Sequence, residues 1–225
     1  MLTAEAEELR RQRREQAIRH VYFPRRPRHA VPAGAKDELY DVAAATIGNE
    51  PILYLEFGVY NGNSMRAIAT RFRHPEARFV GFDSFEGLPE TWHYTSHVFE
   101  KGTFTTAGRL PAISDPRISF VKGWFQNTLP EFLATLHLPP QQPVLVHYDA
   151  DLYSSTLFIL TSLWHRIADY FFLFDEFMSE EVIALHDFSL AYPIEFEFLS
   201  QTNPDRLPTQ IFGRVKRIPF TPADD

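Results

Sequence analysis

The 225-residue chain contains no cysteine. That excludes disulfides, a thiol nucleophile and a zinc–thiolate centre. No apolar run reaches the length of a membrane span. Glu5, Glu7 and Glu8 precede any apolar run, so no secretory signal is expected at the N-terminus and a soluble cytoplasmic protein is. No G-x-G-x-x-G fingerprint follows a strand-like run, and no Tyr–Lys pair can be placed, which argues against a nicotinamide oxidoreductase. Basic residues are outnumbered, 22 Lys and Arg against 29 Asp and Glu, and the net charge of −7 argues against nucleic acid as a partner of the whole surface. Neither nucleic acid nor membrane is an expected partner.

Aromatic residues are plentiful. Phe alone contributes 21 residues, so the core is expected to be rich in rings. A charged fraction of 23% and an aromatic fraction of 15% suit a folded chain. The length suits one domain with a substantial core. No internal repeat or linker divides it. Residues 1–35 read as a charged helix followed by a Pro/Arg-rich arm, and residues 36–225 as the domain proper.

The chain is organised around Val144–Thr156, VLVHYDADLYSST. A strand-like run leads directly into Asp149 and Asp151 and then into a hydroxyl-rich helix start. Tyr170–Phe174 repeats the pattern and ends in Asp175 and Glu176. Two adjacent parallel strands bring these four acids to one edge of a sheet, where open α/β folds bind ligands. Grouped carboxylates repel unless a cation lies between them, which points to a hard divalent ion such as magnesium. Capping of the following helices by Asp is the alternative.

Thr3–Ile18 reads as a charged, solvated helix. Its basic run, Arg10, Arg11, Arg13 and Arg14, is interleaved with Glu5, Glu7, Glu8 and Glu15, which favours a mixed-charge surface over a phosphate-binding patch. Pro24, Pro27 and Pro32 then exclude helix, leaving an arm that suits a lid, an oligomer contact or a loose leader. Lys36–Ile47 has helical periodicity, with Gly48 as its stop. Ile52–Phe57 is a strand, followed by the turn GVYNGNS and a helix from about Met65 to Phe72. Glycine there lets the backbone approach a ligand, and a helix N-terminus favours a carboxylate or phosphate. Ala77–Phe82 is the next strand. Asp83 at its end stands where nucleotide folds place the acid that binds a ribose. Pro89–Ala112 is long, with Trp92, His93, His97 and Lys101, and suits the wall of an acceptor pocket. Ile118–Val121 is a third strand, with a helix from Asn127 or Thr128 to about Leu136. Further helices follow Asp151 and span Glu180–Tyr192. Ile194–Ser200 and Gln210–Ile218 alternate as an antiparallel edge pair should.

In that order LEFGVYNGNS, GFDSFEGLP, GWFQNTLP, HYDADLYSST and FDEF resemble the macrocin O-methyltransferase family from about Leu53 onward. The resemblance implies a Rossmann-like class I methyltransferase fold: α/β, with a mostly parallel seven-stranded sheet, helices on both faces and an antiparallel C-terminal strand. It implies S-adenosylmethionine as cofactor, magnesium as a second and a small-molecule hydroxyl as acceptor. On this resemblance Glu56, Gly58, Gly62 and Ser64 serve the methionine part of the cofactor. Asp83 serves its ribose, and Ser84, Phe85, Gly123, Trp124 and Phe125 the adenine region, with Asp151 a further cofactor-site acid. Asp149, Asp175 and Glu176 are the implied metal ligands. Asp149 and His186 are the implied catalytic groups. His147 points to the same strand face as Asp149, and packing in the core is its alternative reading. The acidic pair here is Asp-Glu, where metal-dependent members of the family carry Asp-Asp or Asp-Asn. A metal-free methyltransferase, and an idle module that binds cofactor or partner through the arginine-rich arm, therefore stand as rivals. A homo-oligomer is open.

Overall fold

The computed structural model describes residues 4–94 and 97–219. Thr3, where the leading helix is expected to start, and Thr95 and Ser96 of the expected acceptor loop fall outside them. Helix α1 (Ala4–Ala17) continues through a π-helical turn (Ile18–Tyr22) and a short 3-10 turn (Phe23–Arg25). Strand β1 (His29–Val31) and helix α2 (Lys36–Ile47) follow. Then come β2 (Leu53–Phe57), α3 (Asn63–Arg71), β3 (Arg78–Asp83), and a hairpin of β4 (Trp92–Tyr94) and β5 (His97–Phe99). The chain continues with β6 (Ile118–Lys122), α4 (Phe125–Thr135), β7 (Val144–Tyr148), α5 (Tyr153–Trp164) and β8 (Asp169–Phe174). It closes with a π-helical turn (Phe177–Glu181), α6 (Val182–Ala191), β9 (Ile194–Thr202) and β10 (Ile211–Arg217).

The main sheet runs β1-β9-β10-β8-β7-β2-β3-β6. All its pairings are parallel except those of β10 with β8 and β9. This is the expected Rossmann-like class I arrangement, with one correction: eight strands, not seven. The additional strand is β1, three residues between Pro27 and Pro32, too short to show a period. It pairs His29 with Ser200 and Val31 with Thr202. The C-terminal strands are antiparallel as expected but do not form the edge, because β10 is interior and β1 covers β9.

Period-two alternation carries helices on both faces. Leu53, Leu55 and Phe57 of β2 and Val144, Val146 and Tyr148 of β7 pack with α4, α5, α6 and the N-terminal segment. Tyr54 and Leu145 face the other way, against α2 and α3. The N-terminal segment is part of this core, since Ala17, Val21 and Tyr22 are buried in it. No helix among the described residues is long and apolar enough to cross a membrane.

Candidate functional site

The parallel register sets Tyr148 beside Phe174 and Phe57 beside Tyr148, so the chain leaves β2, β7 and β8 at one edge of the sheet. Asp149 and Asp175 therefore emerge side by side. Asp149 N–H donates to Phe57 O at 2.9 Å and Asp175 N–H to Tyr148 O at 3.0 Å. Asp151 follows in a left-handed turn, φ 61°. These acids and Glu176 form the floor of a cavity of about 350 Å³, which is within the range of small-molecule sites. Its remaining walls are largely apolar and aromatic: Leu88, Trp92, Tyr94, Phe99, Phe104, Trp124 and Phe125. Trp92 stacks on Phe99 at 5.1 Å, so the hairpin of the expected acceptor loop presents a packed face to the cavity.

Two residues outside the cavity lining control the charge beneath it. Lys36, the first residue of α2, places Nζ 2.5 Å from Asp175 Oδ1. His147 Nε2 is 4.0 Å from that oxygen, and its Nδ1 contacts Tyr54 Oη at 2.8 Å. His147, Asp149 and Asp175 bring one donor atom each within 4.8 Å of one another. Burial and the Lys36 charge push His147 down to about 3, so its imidazole is neutral. Burial works against the Lys36 charge too, but Asp175 and Asp149 outweigh it and raise its pKa. Burial and Asp175 push Asp149 well above the usual carboxylate range. Burial, Glu176 and Asp175 raise Asp151 to about 8.

Glu181 is another member that the sequence did not reveal. It lies at the end of the π-helical turn after β8 and is fully buried. Its Oε2 accepts the Glu176 N–H at 3.1 Å, and Oε1 has no hydrogen-bond partner. Burial and the charges of Asp175 and Asp149 hold it well above its ordinary value. Glu176 is raised as well, by burial first, against a lowering hydrogen bond from Tyr94.

Of the residues expected at a site, Gly58, Asp83, Ser84, Gly123, Trp124, Phe125, Asp149, Asp151, Asp175 and Glu176 line this one cavity. Glu56, Gly62, Ser64, Phe85 and His186 are not in its lining. Glu56 is fully buried, and its oxygens accept from Ser64 Oγ and Tyr54 Oη at 2.6 Å each. It therefore ties α3 to β2 from behind. Burial raises it to about 7, against the lowering hydrogen bonds of Ser64 and Tyr54. Gly62 caps α3 in the left-handed region, φ 73°. His186 is on α6, stacked on His20 at 5.7 Å and 3.1 Å from Asp187. Asp187 in turn takes Arg13 at 2.6 Å and Tyr153 Oη at 2.8 Å. His186 thus belongs to the contact between α1 and the body.

Asp83 has a structural task that its expected ribose role does not mention. Its Oδ2 accepts the N–H groups of Val59 and Tyr60 at 2.8 Å, and its Oδ1 that of Phe85 at 2.6 Å. A carboxylate offers about four lone-pair sites, so one remains for a ligand. The same bonds hold the glycine turn in place.

A family model described as a methyltransferase domain matches residues 55–175. No curated protein matches the chain by sequence. Among solved structures, an O-methyltransferase of Bacillus cereus in complex with SAH is similar at a TM-score of 0.54 and 14% identity, covering 92% of this chain and 91% of that one. The O-methyltransferase TomG of Streptomyces achromogenes, involved in tomaymycin synthesis and solved with SAM, gives 0.50 at 15% identity, covering 92% and 89%. A Clostridium thermocellum protein provisionally described as an rRNA methylase gives 0.50 at 13%, covering 84% and 98%. At such identities the likeness is one of fold.

Proposed function

Because this chain belongs to the methyltransferase-domain family, whose model spans more than half of it, we propose that it transfers a methyl group from S-adenosylmethionine to a small-molecule hydroxyl. The observation that carries this reading is the cavity, which combines aromatic walls with a floor of four acids at the carboxyl ends of the strands. A cofactor that brings a sulfonium and an ammonium suits such a floor. Burial first, and the neighbouring acids after it, raise Asp149, Asp151 and Glu176, so a cation arriving among them is favoured. The fold also serves a protein described as an rRNA methylase, so the acceptor has to be argued from the site. A cavity of this size, lined on one side by Trp92, Tyr94 and Phe99, suits a small ring better than a nucleic acid. The narrower likeness to macrocin O-methyltransferases puts sugar hydroxyls first in a screen.

S-adenosylmethionine supplies an electrophilic methyl carbon, so that the C–S bond breaks as the acceptor oxygen bonds to it. The protein's part is to aim the hydroxyl and take its proton. Asp149 is the group for this: it lines the cavity at the carboxyl end of β7, and the positive charge of a bound cofactor favours its ionised, proton-accepting form. Asp83, through its spare lone pair, and Gly58, through its backbone in the cavity lining, contribute to cofactor binding. Trp124 and Phe125 offer faces for a purine. Positioning supplies most of the rate, because the methyl donor is already reactive.

Magnesium meets an obstacle. His147, Asp149 and Asp175 are divalent-ion ligands in kind. Magnesium, however, asks for a near-octahedral shell of oxygens. Among the described residues it is His147, not the expected Glu176, that groups with Asp149 and Asp175, so one donor is an imidazole nitrogen, and the ammonium of Lys36 already stands beside Asp175 Oδ1. The nitrogen counts against magnesium in particular and the ammonium against any divalent ion at that oxygen, and no step is routed through one.

The test is equilibrium titration of the full chain with S-adenosylmethionine, followed by transfer of labelled methyl to a panel of sugars, phenols and other alcohols. Binding with transfer to a hydroxyl supports the reading. Absence of cofactor binding overturns it and leaves a partner-binding module.

A further inference from the structure

We propose that Lys36 is the resident cation of this site, a positioning residue that occupies the Asp175 oxygen a divalent ion needs and makes such an ion dispensable. The inference rests on the reading of the cavity as a methyltransferase site, and its test is separable from that reading.

Lys36 opens α2, with Asp37 and Glu38 beside it in the first turn. A cation there is opposed by the helix dipole, which favours negative charge at an N-terminus. What holds the ammonium is Asp175 Oδ1, just past β8, at 2.5 Å, with the buried ring of Tyr40 on α2 5.9 Å from Nζ. The Lys36 side chain is 32% exposed and that of Asp175 12%, so solvent screens the pair only in part. His147 Nε2 approaches the same oxygen to 4.0 Å and is held by Tyr54 through Nδ1. Asp149 completes the group of donors. Asp175 Oδ1 is buried and has no hydrogen bond of good geometry among the described residues, so the Lys36 ammonium meets it as an ion pair, and a divalent ion at that oxygen would stand beside a second cation in a weakly screened pocket. Lys36 reaches Asp175 without entering the cavity lining. It can therefore fix the carboxylates from behind while leaving the acceptor side open.

The experiment is calorimetric titration of the full chain with magnesium chloride and with manganese chloride, on wild type, Lys36→Gln, Lys36→Met and Lys36→Arg, with folding checked by circular dichroism. Wild type and Lys36→Arg are expected to give no binding up to millimolar metal. The two neutral variants are expected to bind at least about tenfold more tightly than wild type, because a like charge has been removed from the donor oxygen. A solely structural role for Lys36 would not raise metal affinity. Tight metal binding by wild type, or no gain in a folded neutral variant, overturns the proposal. If neither neutral variant folds, the wild-type titration decides alone: metal bound with Lys36 intact overturns it and absence of binding supports it. S-adenosylmethionine titrated into the same samples reports on the methyltransferase reading independently.

Discussion

Gly58 and Asp149 meet backbone to backbone. A β-carbon on Gly58 would fall 1.8 Å from the Asp149 carbonyl oxygen and 2.8 Å from its carbonyl carbon. The Gly58 N–H donates to Phe82 O at 3.0 Å, and the Asp149 N–H to Phe57 O at 2.9 Å. The ends of β2, β3 and β7 are thus joined at one point, and the acid that follows β7 is placed by the glycine that follows β2. The glycine serves the protein's own backbone before it serves any ligand.

Gly58→Ala is therefore expected to be severe. Its φ of 95° disfavours any side chain, and the obstructing atom is backbone that cannot swing aside. A loss of about 3 kcal/mol or more follows from strain and displacement of the β7 turn. Gly62→Ala is the control: its β-carbon would meet only side-chain atoms of Ile113 and Pro111 at 3.0 Å, with φ 73°. A cost of about 1 kcal/mol is expected there. Urea unfolding of both variants checks the ranking.

Asp83→Ala is expected to lose both stability and cofactor. Three backbone N–H groups, those of Val59, Tyr60 and Phe85, lose their acceptor. Part of that cost is recovered by water because Tyr60 is exposed, so the loss is about 2–3 kcal/mol. A variant that lost cofactor affinity with stability unchanged would show that the carboxylate acts on the ligand alone.

What the sequence made legible follows from local patterning. The acids after β7 and β8 could be placed together because both strands are short apolar runs ending in carboxylates, and parallel pairing does the rest. Lys36 was legible as a helix start, but nothing near it in sequence names Asp175 as its partner. Glu181 was hidden for a different reason. In FMSEE the second Glu is indistinguishable from the first until the π-helical turn buries Glu181 and leaves Glu180 to pair with Arg10 at 3.1 Å. His147 was readable as an inward strand residue, yet its nearness to Asp175 depends on the β7–β8 register. Glu56 and Ser64 were read as one motif and do touch, but they face each other away from the cavity.

Glu56 gives a pH dependence whose sign can be worked out. Burial raises it to about 7 in the folded protein from an ordinary value of 4.5. The folded state then binds the proton more tightly than the unfolded state. The stability it contributes is complete below pH 4.5 and is lost as the pH rises through 7. At about 1.4 kcal/mol per unit, the loss across that window is roughly 3 kcal/mol. Glu56→Gln keeps the shape and cannot titrate. Denaturant midpoints from pH 4 to 8 are expected to fall less steeply for Glu56→Gln than for wild type. Equal slopes would place the proton elsewhere in the acid cluster.

The N-terminal segment is expected to be indispensable to the fold. Ala17, Val21 and Tyr22 are buried, Tyr22 Oη donates to Gln201 Oε1 at 2.8 Å, and β1 covers the edge of β9. Removing residues 1–31 uncovers all of this. Burial of Val21 and Tyr22 alone is worth about 4 kcal/mol, a large share of the roughly 5–15 kcal/mol that holds a domain. The truncated chain is expected to show a markedly lower melting temperature or none. A fragment that melts like the full chain would show residues 1–31 to be an independent appendage.

The choice of base separates Asp149 from His186. Asp149 lines the cavity and His186 does not. His186 is engaged with His20 and Asp187 where α6 meets α1. Asp149→Asn retains size and removes the proton acceptor, so kcat is expected to fall by about 10²–10⁴, with a smaller loss of cofactor affinity because Asp151, Asp175 and Glu176 remain in the floor. His186→Ala is expected to leave kcat within a few-fold and to lower stability through the α1 contact. Single-turnover methyl transfer, with cofactor binding measured in parallel, reads both. A large loss of kcat in folded His186→Ala, with Asp149→Asn active, would move the base to α6. Such a result would require α1 to swing away during turnover, because Arg13 holds Asp187 at 2.6 Å beside that imidazole.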